Sequence, residues 1–301
     1  LQRHGAPKKN IINTVFDMVY VINLKQDQKR ALPLFNKLDE LKIKYQRSEG
    51  VYPNNRDYSK YLQQWLYQTD SSTYSLNKVI FDYKMYIRKN PDLEKKGITN
   101  KTRAWTHWLN YGKAENRPLF EKTNIQNTAQ LGCLLAHNRV IIDAIKNNYR
   151  NILILEDDIY FDSNFIEKFE KIIVQIPNWN LLYLGAIQKK WDNIDKSSKF
   201  YKALNTYGCF AYGINNSVFN LIKEKSMELI EPIDKCLESI HKLNKSFVLN
   251  PNIIITNLER SKIHRSRDIN FYSKVFNWDL DNFDIEIYDD ISESESTPSE
   301  N

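Results

Sequence analysis

Three consecutive acidic residues follow the most apolar short run of the chain. Residues 151–162 read NILILEDDIYFD, so the apolar run ends directly in Glu156, Asp157 and Asp158. Adjacent carboxylates are costly together unless a cation or hydrogen-bond donors lie nearby. Hard divalent cations prefer oxygen ligands and can share them with the phosphates of a bound ligand. The pattern therefore indicates a site for a divalent cation and a phosphorylated ligand, and the alternative is a solvated acidic turn after a core strand.

The segments around these acids predict an α/β fold. An apolar run of strand length with polar flanks is typical of a strand buried on both faces of a sheet. Strands are predicted at 17–24, near 43–46, and at 151–155, 180–186, 210–214 and 253–255, with helices at 26–41, 128–148, 163–176 and 217–229. This alternation is that of an α/β sandwich. Ligands of open α/β sheets bind beyond the carboxyl ends of strands, which is where the three acids lie.

The charge distribution divides the chain into a basic body and an acidic end. Nine of the 37 acidic residues, but none of the 43 Lys and Arg residues, lie from Asp279 onward. Residues 1–278 therefore carry a charge of +15 and residues 279–301 a charge of −9, which gives the net charge of +6. We expect one domain over 15–278 and an acidic, disordered tail over 279–301. A basic body suits an anionic ligand such as a sugar nucleotide. Nucleic-acid binding ranks last, because the basic residues are scattered and form no recognition motif.

Several segments, taken in chain order, resemble glycosyltransferase family 25, the lipopolysaccharide-type and collagen-type galactosyl- and glucosyltransferases. The resemblance is carried by VINL at 21–24 with Arg30 behind it, EG at 49–50, LGCLLAH at 131–137, LEDD at 155–158, WNLLYLG at 179–185, PID at 232–234 and SKI at 261–263. Two positions depart from the family pattern. Ala136 stands where the family usually has Ser, and Lys262 stands where it often has Asp. Both departures concern the acceptor side of the site.

The resemblance implies a GT-A-like nucleotide-binding sandwich with a mostly parallel central sheet flanked by helices. It also implies transfer of galactose or glucose from a UDP-sugar to a hydroxyl of a glycan or glycoprotein acceptor, with inversion and with Mn²⁺ or Mg²⁺. Asp158 is the predicted main metal ligand. Asp157 or Glu156 is the predicted second ligand or contact to the ribose hydroxyls. His264 is a further candidate ligand, and its alternative is a surface histidine beside arginines.

The remaining site residues are assigned to the nucleotide and to the acceptor. Asn23 and Arg30 are predicted nucleotide contacts, although Arg30 on a helix is equally compatible with a solvated position. Arg265 is predicted to bind the diphosphate. Asp234 is the candidate general base for the acceptor hydroxyl, and its alternative is a helix N-cap. His137 is expected to be structural or to organise hydrogen bonds.

Residues 55–122 interrupt the alternation of strands and helices. They resemble a small helical repeat that accompanies glycosyltransferases in some large-virus and bacterial proteins, and short helices are predicted at 86–93 and 104–112. The preferred interpretation is a structural insert at one edge of the fold. The alternative is that aromatic residues of the insert shape the acceptor site; these are Tyr83, Tyr86, Trp105, Trp108 and Tyr111.

Cysteine usage and hydropathy bear on the compartment. Cys133, Cys209 and Cys236 lie far apart with no CxxC, which favours reduced thiols over disulfides or a zinc cluster. No apolar run approaches the ~20 residues that span a bilayer, and no signal peptide is recognisable. These features predict a cytoplasmic protein, in the host cytoplasm or the virion if the chain is viral.

Two other functions compete with a transferase. A nucleotidyltransferase or metal-dependent phosphoesterase would also place carboxylates at strand ends, but it would show further compact clusters of Asp or His. A transferase-like module that binds glycan or nucleotide without turnover is the second alternative. The intact acidic triplet argues against that module, and Ala136 at the Ser position mildly favours it.

Overall fold

A computed structural model gives the structure of residues 10–51, 81, 83–112, 114, 115, 117, 124, 125, 128–258 and 268–285. The strands are β1 Met18–Asn23, β2 Tyr45–Glu49, β3 Asn151–Glu156, β4 Ile159–Phe161, β5 Leu181–Gln188, β6 Phe200–Lys202, β7 Thr206–Asn215, β8 Ser246–Leu249 and β9 Ile254–Thr256. The α-helices are α1 Ile12–Val15, α2 Leu32–Glu40, α3 Tyr83–Lys89, α4 Pro91–Lys95, α5 Lys101–His107, α6 Thr128–Lys146, α7 Phe165–Ile173, α8 Phe219–Met227, α9 Ile233–His241 and α10 Ile269–Phe276. No helix within these ranges combines the length and the apolar character needed to cross a membrane.

Seven strands form the central sheet, in the order β2-β1-β3-β7-β5-β8-β6. The pairs β1–β2, β1–β3 and β5–β8 are parallel, whereas β7 and β6 are antiparallel to their neighbours. Five of the seven strands therefore run in one direction, and β4 and β9 form a separate antiparallel pair. This architecture confirms the predicted α/β class with a mostly parallel central sheet flanked by helices, and it is consistent with a GT-A-like sandwich.

Both faces of the sheet are covered. In β1 and β3 the alternating residues Tyr20 and Ile154 belong to one hydrophobic cluster, and Val21 and Leu155 belong to another. Successive side chains of a strand point to opposite faces, so the two clusters occupy the two sides of the sheet. Helices α6, α8 and α9 contribute to the first cluster, and α2, α7 and α10 contribute to the second. Burial on both sides explains why these strands are continuous apolar runs.

Proline determines two helix boundaries that the apolar pattern placed differently. The helix predicted at 26–41 is α only over Leu32–Glu40, with Pro33 in its first turn and two short 3₁₀ turns before it. The helix predicted at 86–93 is divided at Asn90, because Pro91 begins α4. Proline lacks the N–H that a helix interior needs, and its fixed φ suits the first helical turn.

The aromatic side chains of the insert mostly form a core. Tyr86, Trp105 and Trp108 are at most 5% exposed and belong to the first hydrophobic cluster, and the Tyr86 hydroxyl lies 3.0 Å from Nδ1 of His107. Tyr111 is 58% exposed. This packing favours the structural interpretation of the insert over the acceptor-site alternative. Residues 55–80, 82, 113, 116 and 118–122 of the predicted insert lie outside the described ranges.

The first residues of the predicted acidic tail, 279–285, pack against the domain. Residues 280–282 form a 3₁₀ turn, and the buried ring of Phe283 belongs to the second hydrophobic cluster. Phe283 also forms an isolated antiparallel bridge with Asp162, and Ser163 Oγ donates to Asp284 at 2.9 Å. The prediction of disorder from Asp279 is therefore wrong for 279–285, because an apolar anchor and these pairings outweigh the local acidity. Residues 286–301 are not among those described.

Gly185 in β5 permits a close approach of β9 to the central sheet. A Cβ atom at this position would overlap the carbonyl oxygen of Ile254 and would lie 2.5 Å from Cε2 of Phe210. The backbone of β9 cannot retreat from such a Cβ without moving the residues that follow it. Gly185 therefore fixes the position of Thr256 and Asn257, which reach the acidic strand end described below.

We predict that Gly185→Ala lowers the free energy of unfolding by about 1–3 kcal/mol, the usual cost of forcing extra volume into a packed site. Chemical denaturation followed by circular dichroism measures this change. Gly50→Ala is the matched control, since a Cβ there meets chiefly the flexible end of Leu24, at 3.0 Å. Equal stability of the Gly185→Ala variant and the wild type would contradict the close-approach argument.

Candidate functional site

The C-terminal ends of three adjacent strands meet at one edge of the sheet. In the parallel ladders, Ile22 of β1 lies opposite Glu156 of β3, and Asn23 lies opposite Glu49 of β2. Asp157 and Asp158 continue directly from β3. The structure thus brings the predicted residues from β1 and β3 together at the edge where ligands of α/β sheets bind.

Asp157 is held inside the protein by two of the predicted nucleotide contacts. Asn23 is fully buried, and its Nδ2 donates to Asp157 Oδ2 at 2.6 Å and to the carbonyl of Asp27 at 2.9 Å. Arg30 donates to the other carboxylate oxygen and forms an ion pair there. Burial raises the pKa of Asp157, and the charge of Arg30 opposes that rise. Since both of its oxygens are already engaged, Asp157 is better placed to organise the strand end than to act as the metal ligand that the sequence predicted.

Arg30 retains unused hydrogen-bonding capacity. Its Nε is buried and finds no partner among the described residues, although one Nη binds Asp157. The same side chain lines a cleft beside the three acids. A buried guanidinium N–H without a partner is unfavourable, and an anionic ligand in that cleft would satisfy it. This geometry suits the predicted nucleotide contact better than a solvated arginine.

Asp158 is a partly buried carboxylate that lacks a cationic partner of its own among the described residues. Thr256 Oγ1 lies 3.3 Å from Oδ1, and the backbone N–H of Asn257 donates to the Asp158 carbonyl at 2.7 Å. Burial, reinforced by the charges of Glu156 and Asp157, raises the pKa of Asp158 to about 7. A hard divalent cation would relieve this unfavourable charge, so the oxygen donors present fit Mn²⁺ or Mg²⁺.

Glu156 faces helix α6. Its Oε1 lies 3.2 Å from Nε2 of His137 and 3.7 Å from the Sγ of Cys133. His137 is 1% exposed, and its Nδ1 lies 2.8 Å from the hydroxyl of Tyr212. His137 therefore organises hydrogen bonds, one of the two roles expected from the sequence. Burial, followed by the charge of Glu156, raises the pKa of the Cys133 thiol well above its ordinary value.

Two clefts meet at the acids. The first has an open volume of about 710 Å³ and is bordered by Leu24, Arg30, Val51 and Ala136, among others. The second has an open volume of about 1100 Å³ and is lined in part by Lys189, Tyr207, Asp234 and Asn257. Cys133, Glu156 and Asp158 line both clefts. A ligand spanning the two would pass directly over the strand end.

Asp234 lies in the first turn of α9, on the wall of the second cleft. The N-cap position belongs to Pro232, so the predicted alternative of an N-cap aspartate is wrong by two positions. The carboxylate nevertheless accepts hydrogen bonds from the backbone N–H groups of Asp234 and Lys235. Burial is the largest effect on this carboxyl and raises its pKa. A raised pKa makes the carboxylate a stronger base, which suits proton abstraction.

His264 and Arg265, the predicted metal ligand and diphosphate contact, lie outside the described residues, as do Lys262 and the rest of 259–267. Sequence reasoning missed Thr256 and Asn257. These two residues follow the predicted strand at 253–255, so the strand-end argument that singled out Glu156–Asp158 could have found them. Of the cleft residues, Lys189 follows β5 and Tyr207 lies within β7. Neither belongs to a group of acidic residues at a strand end, so the sequence did not single them out.

Comparison with known proteins agrees with this geometry. The sequence profile of glycosyltransferase family 25, described as an LPS biosynthesis protein family, matches residues 16–233. The chain belongs to glycosyltransferase family 25. The match includes β1, the acidic strand end and the start of α9, and hence every site residue predicted before Asp234.

Curated members of family 25 align with a shorter part of the chain. A glycosyltransferase 25 family member of Anopheles gambiae is 28% identical over 117 residues, which are 36% of this chain and 19% of that protein. A family member of Drosophila melanogaster is 25% identical over 115 residues, 36% of this chain and 19% of that protein. The human inactive glycosyltransferase 25 family member 3 is 24% identical over 116 residues, 36% of this chain and 20% of that protein. The aligned region thus spans about a fifth of the length of these relatives.

The raised pKa of Asp158 predicts that the free energy of unfolding depends on pH when divalent cations are withheld. The ordinary carboxyl pKa is 3.8 and the folded value is about 7, so folding favours the protonated form and stability is lost as the pH rises from about 4 to 7. Without divalent cations, Asp158→Asn should therefore be more stable than the wild type above pH 7, by up to about 4 kcal/mol, and should lose this advantage near pH 4. Denaturation with chelator across this pH range measures it. Parallel stability curves of the two proteins would contradict the assignment.

Because Arg30 and Asp157 form an ion pair, we predict that substitutions of the two residues have non-additive effects on the free energy of unfolding. Arg30→Met leaves a carboxylate that is 5% exposed without its cation, which should cost about 3 kcal/mol of stability. In the Asp157→Asn background the same change should cost much less, because no buried charge is then left unpaired. A double-mutant cycle measures the coupling. Additive losses would show that the two side chains do not depend on each other.

Proposed function

We propose that this family 25 chain catalyses the metal-dependent transfer of a hexose, galactose or glucose, from a UDP-sugar to a hydroxyl of a glycan or glycoprotein acceptor, with inversion at the anomeric carbon. One observation carries the proposal beyond family membership. Asp158 lies where the two clefts meet, and Asp234 lines the second of them. A donor in the first cleft and an acceptor in the second would meet at these carboxylates.

The first cleft is the proposed donor site. Its apolar side chains, Ile22, Leu24 and Val51, offer surfaces for a flat base. The same cleft is lined by Arg30, with its unpartnered buried Nε, and by the three acids. An apolar wall with few convergent polar groups is the usual character of a nucleotide site. We assign the unused N–H of Arg30 to an oxygen of the donor.

Mn²⁺ or Mg²⁺ is the proposed cofactor, held chiefly by Asp158. When bound, such an ion stabilises the negative charge that develops on the departing diphosphate. The protein contributes a preformed carboxylate position, since Thr256 and the backbone of Asn257 fix Asp158. Asp157 supports the turn through Asn23 and Arg30. We retain His264 as a further proposed ligand and Arg265 as a proposed diphosphate contact.

Asp234 is the proposed general base. The acceptor oxygen forms a bond to the anomeric carbon, the bond from that carbon to the diphosphate oxygen breaks with its electron pair, and the acceptor proton passes to the Asp234 carboxylate. Burial keeps this carboxyl more basic than usual. Its position on the second cleft separates it from the Arg30–Asp157 pair, so the two sites can be altered independently.

A catalytically inactive binding module is the second candidate. Two observations favour it. One aligned human relative is named inactive, and Ala136, which the resemblance assigned to the acceptor side, instead borders the first cleft without a hydroxyl. The acidic strand end and the clefts on both sides of it favour turnover. The two candidates differ in product formation and not in binding.

Release of nucleoside diphosphate from a panel of nucleotide sugars, with Mn²⁺ and with chelator, tests the proposed activity. We expect slow metal-dependent hydrolysis of a UDP-hexose by the wild type and its loss in Asp158→Ala. Glu224→Gln, at an exposed acid on α8, is the control and should match the wild type. Stabilisation of the wild type by UDP and Mn²⁺ without turnover would support the inactive binder instead.

We predict that Asp234→Asn slows the transfer step without changing donor binding. Loss of a general base typically costs 10²–10⁴-fold in rate, so transfer to an acceptor should fall by roughly this factor while the affinity for UDP stays unchanged. Initial rates with the acceptor and calorimetric titration with UDP give the two quantities. Near-normal transfer by this variant would reject the base assignment.

A further inference from the structure

Three side chains with different metal-binding atoms converge beside the proposed hard-cation site. Cys133 and His137 are four residues apart on α6 and so lie on the same face of the helix. Glu156, at the end of β3, reaches between them from the sheet. The three candidate ligand atoms, Sγ, a ring nitrogen and a carboxylate oxygen, all lie within 4.8 Å of one another.

The spacing of these atoms matches a tetrahedral centre. Glu156 Oε1 lies 3.2 Å from His137 Nε2 and 3.7 Å from Cys133 Sγ. Zinc binds nitrogen and oxygen at about 2.0–2.2 Å and thiolate sulfur at about 2.3 Å, so ligands at tetrahedral angles lie roughly 3.2–3.8 Å apart. Two of the three spacings already fall in that range, and small side-chain movements would complete the third.

The histidine has the support that metal-binding histidines usually have. A ligating ring normally donates its second N–H to a fixed acceptor, which sets the tautomer and the ring orientation. His137 is 1% exposed, its Nδ1 lies 2.8 Å from the Tyr212 hydroxyl, and the two rings are stacked. With the proton on Nδ1 donated to Tyr212, Nε2 is left as the ligand atom facing Glu156.

We propose that Cys133, His137 and Glu156 form a site for a thiophilic divalent cation of the Zn²⁺ class, distinct from the hard-cation site at Asp158. A set of one sulfur, one nitrogen and one oxygen ligand favours Zn²⁺ over Mn²⁺ or Mg²⁺. Binding replaces the thiol proton of Cys133, which passes to solvent. Three protein ligands would leave a fourth position for water or a bound ligand, and Cys133 and Glu156 line both clefts.

Cobalt is the probe for this site, because Co²⁺ takes zinc positions and reports a thiolate ligand by its absorption. The whole chain, reduced and freed of metal, is titrated with Co²⁺ in the absence of nucleotide sugar and acceptor. We expect a thiolate-to-Co²⁺ charge-transfer band and the intense visible bands of a tetrahedral ion, saturating at one equivalent and abolished by Zn²⁺. The result does not depend on whether the chain transfers a sugar.

Two variants and one control identify the ligands. Cys133→Ser should lose the charge-transfer band. Cys236→Ser, which removes a buried thiol that points to the Glu231 carbonyl at 3.6 Å, should keep it. Tyr212→Phe retains the packing and should weaken Zn²⁺ binding by roughly 10–100-fold, the usual effect of losing a partner of a ligating histidine. Absence of the band in the wild type, or its persistence in Cys133→Ser, would overturn the proposal.

Discussion

The unfavourable proximity of three carboxylates at the end of a buried strand is the constraint on which the rest of the site depends. Among the residues that the structure describes, only Asp157 of the three acids pairs with an Arg or Lys side chain, that of Arg30, and it accepts a second hydrogen bond from Asn23. Asp158 is left with a threonine hydroxyl and a raised pKa. The described part of the fold thus stabilises one acid of the triplet internally, whereas the charge of the second is the one that the proposed bound cation would neutralise.

The scaffold places supporting groups on every side of that strand end. Gly185 lets β9 approach the sheet, and the last residue of β9, Thr256, together with Asn257 contacts Asp158. Helix α6 presents Cys133 and His137 to Glu156 from the first cleft, and α9 presents Asp234 across the second. Each of these elements comes from a different part of the chain, and the matched family profile, which ends at residue 233, covers Gly185 and α6 but not Asp234 or β9.

The long central strands and the acidic site could be predicted from sequence because their signals are local. Burial on both faces leaves β1 and β3 as unbroken apolar runs, and the acids follow β3 directly. The short strands β4, β6 and β8 carry three or four residues each, too few for a periodic pattern. Arg30 and Asp157 are 127 residues apart in the sequence and are brought together by packing. No local motif could therefore have revealed that Asp157 is neutralised by an internal arginine.

The cluster of Cys133, His137 and Glu156 likewise could not be predicted from local sequence. Isolated cysteines without CxxC argued against a metal cluster, and that argument considers spacing along the chain alone. The helix brings two of the ligand types onto one face, and only the packing of α6 against the end of β3 supplies the third.

Binding of Mn²⁺ at Asp158 is tested by the electron paramagnetic resonance signal of free aqueous Mn²⁺, titrated with the protein in the presence of UDP. We expect that the wild type removes this signal at about one ion per chain, that UDP strengthens the binding, and that Asp158→Asn leaves the signal largely intact. Equal Mn²⁺ uptake by the variant, or no uptake by the wild type with UDP present, would contradict the assignment of the acidic strand end as a metal–nucleotide site.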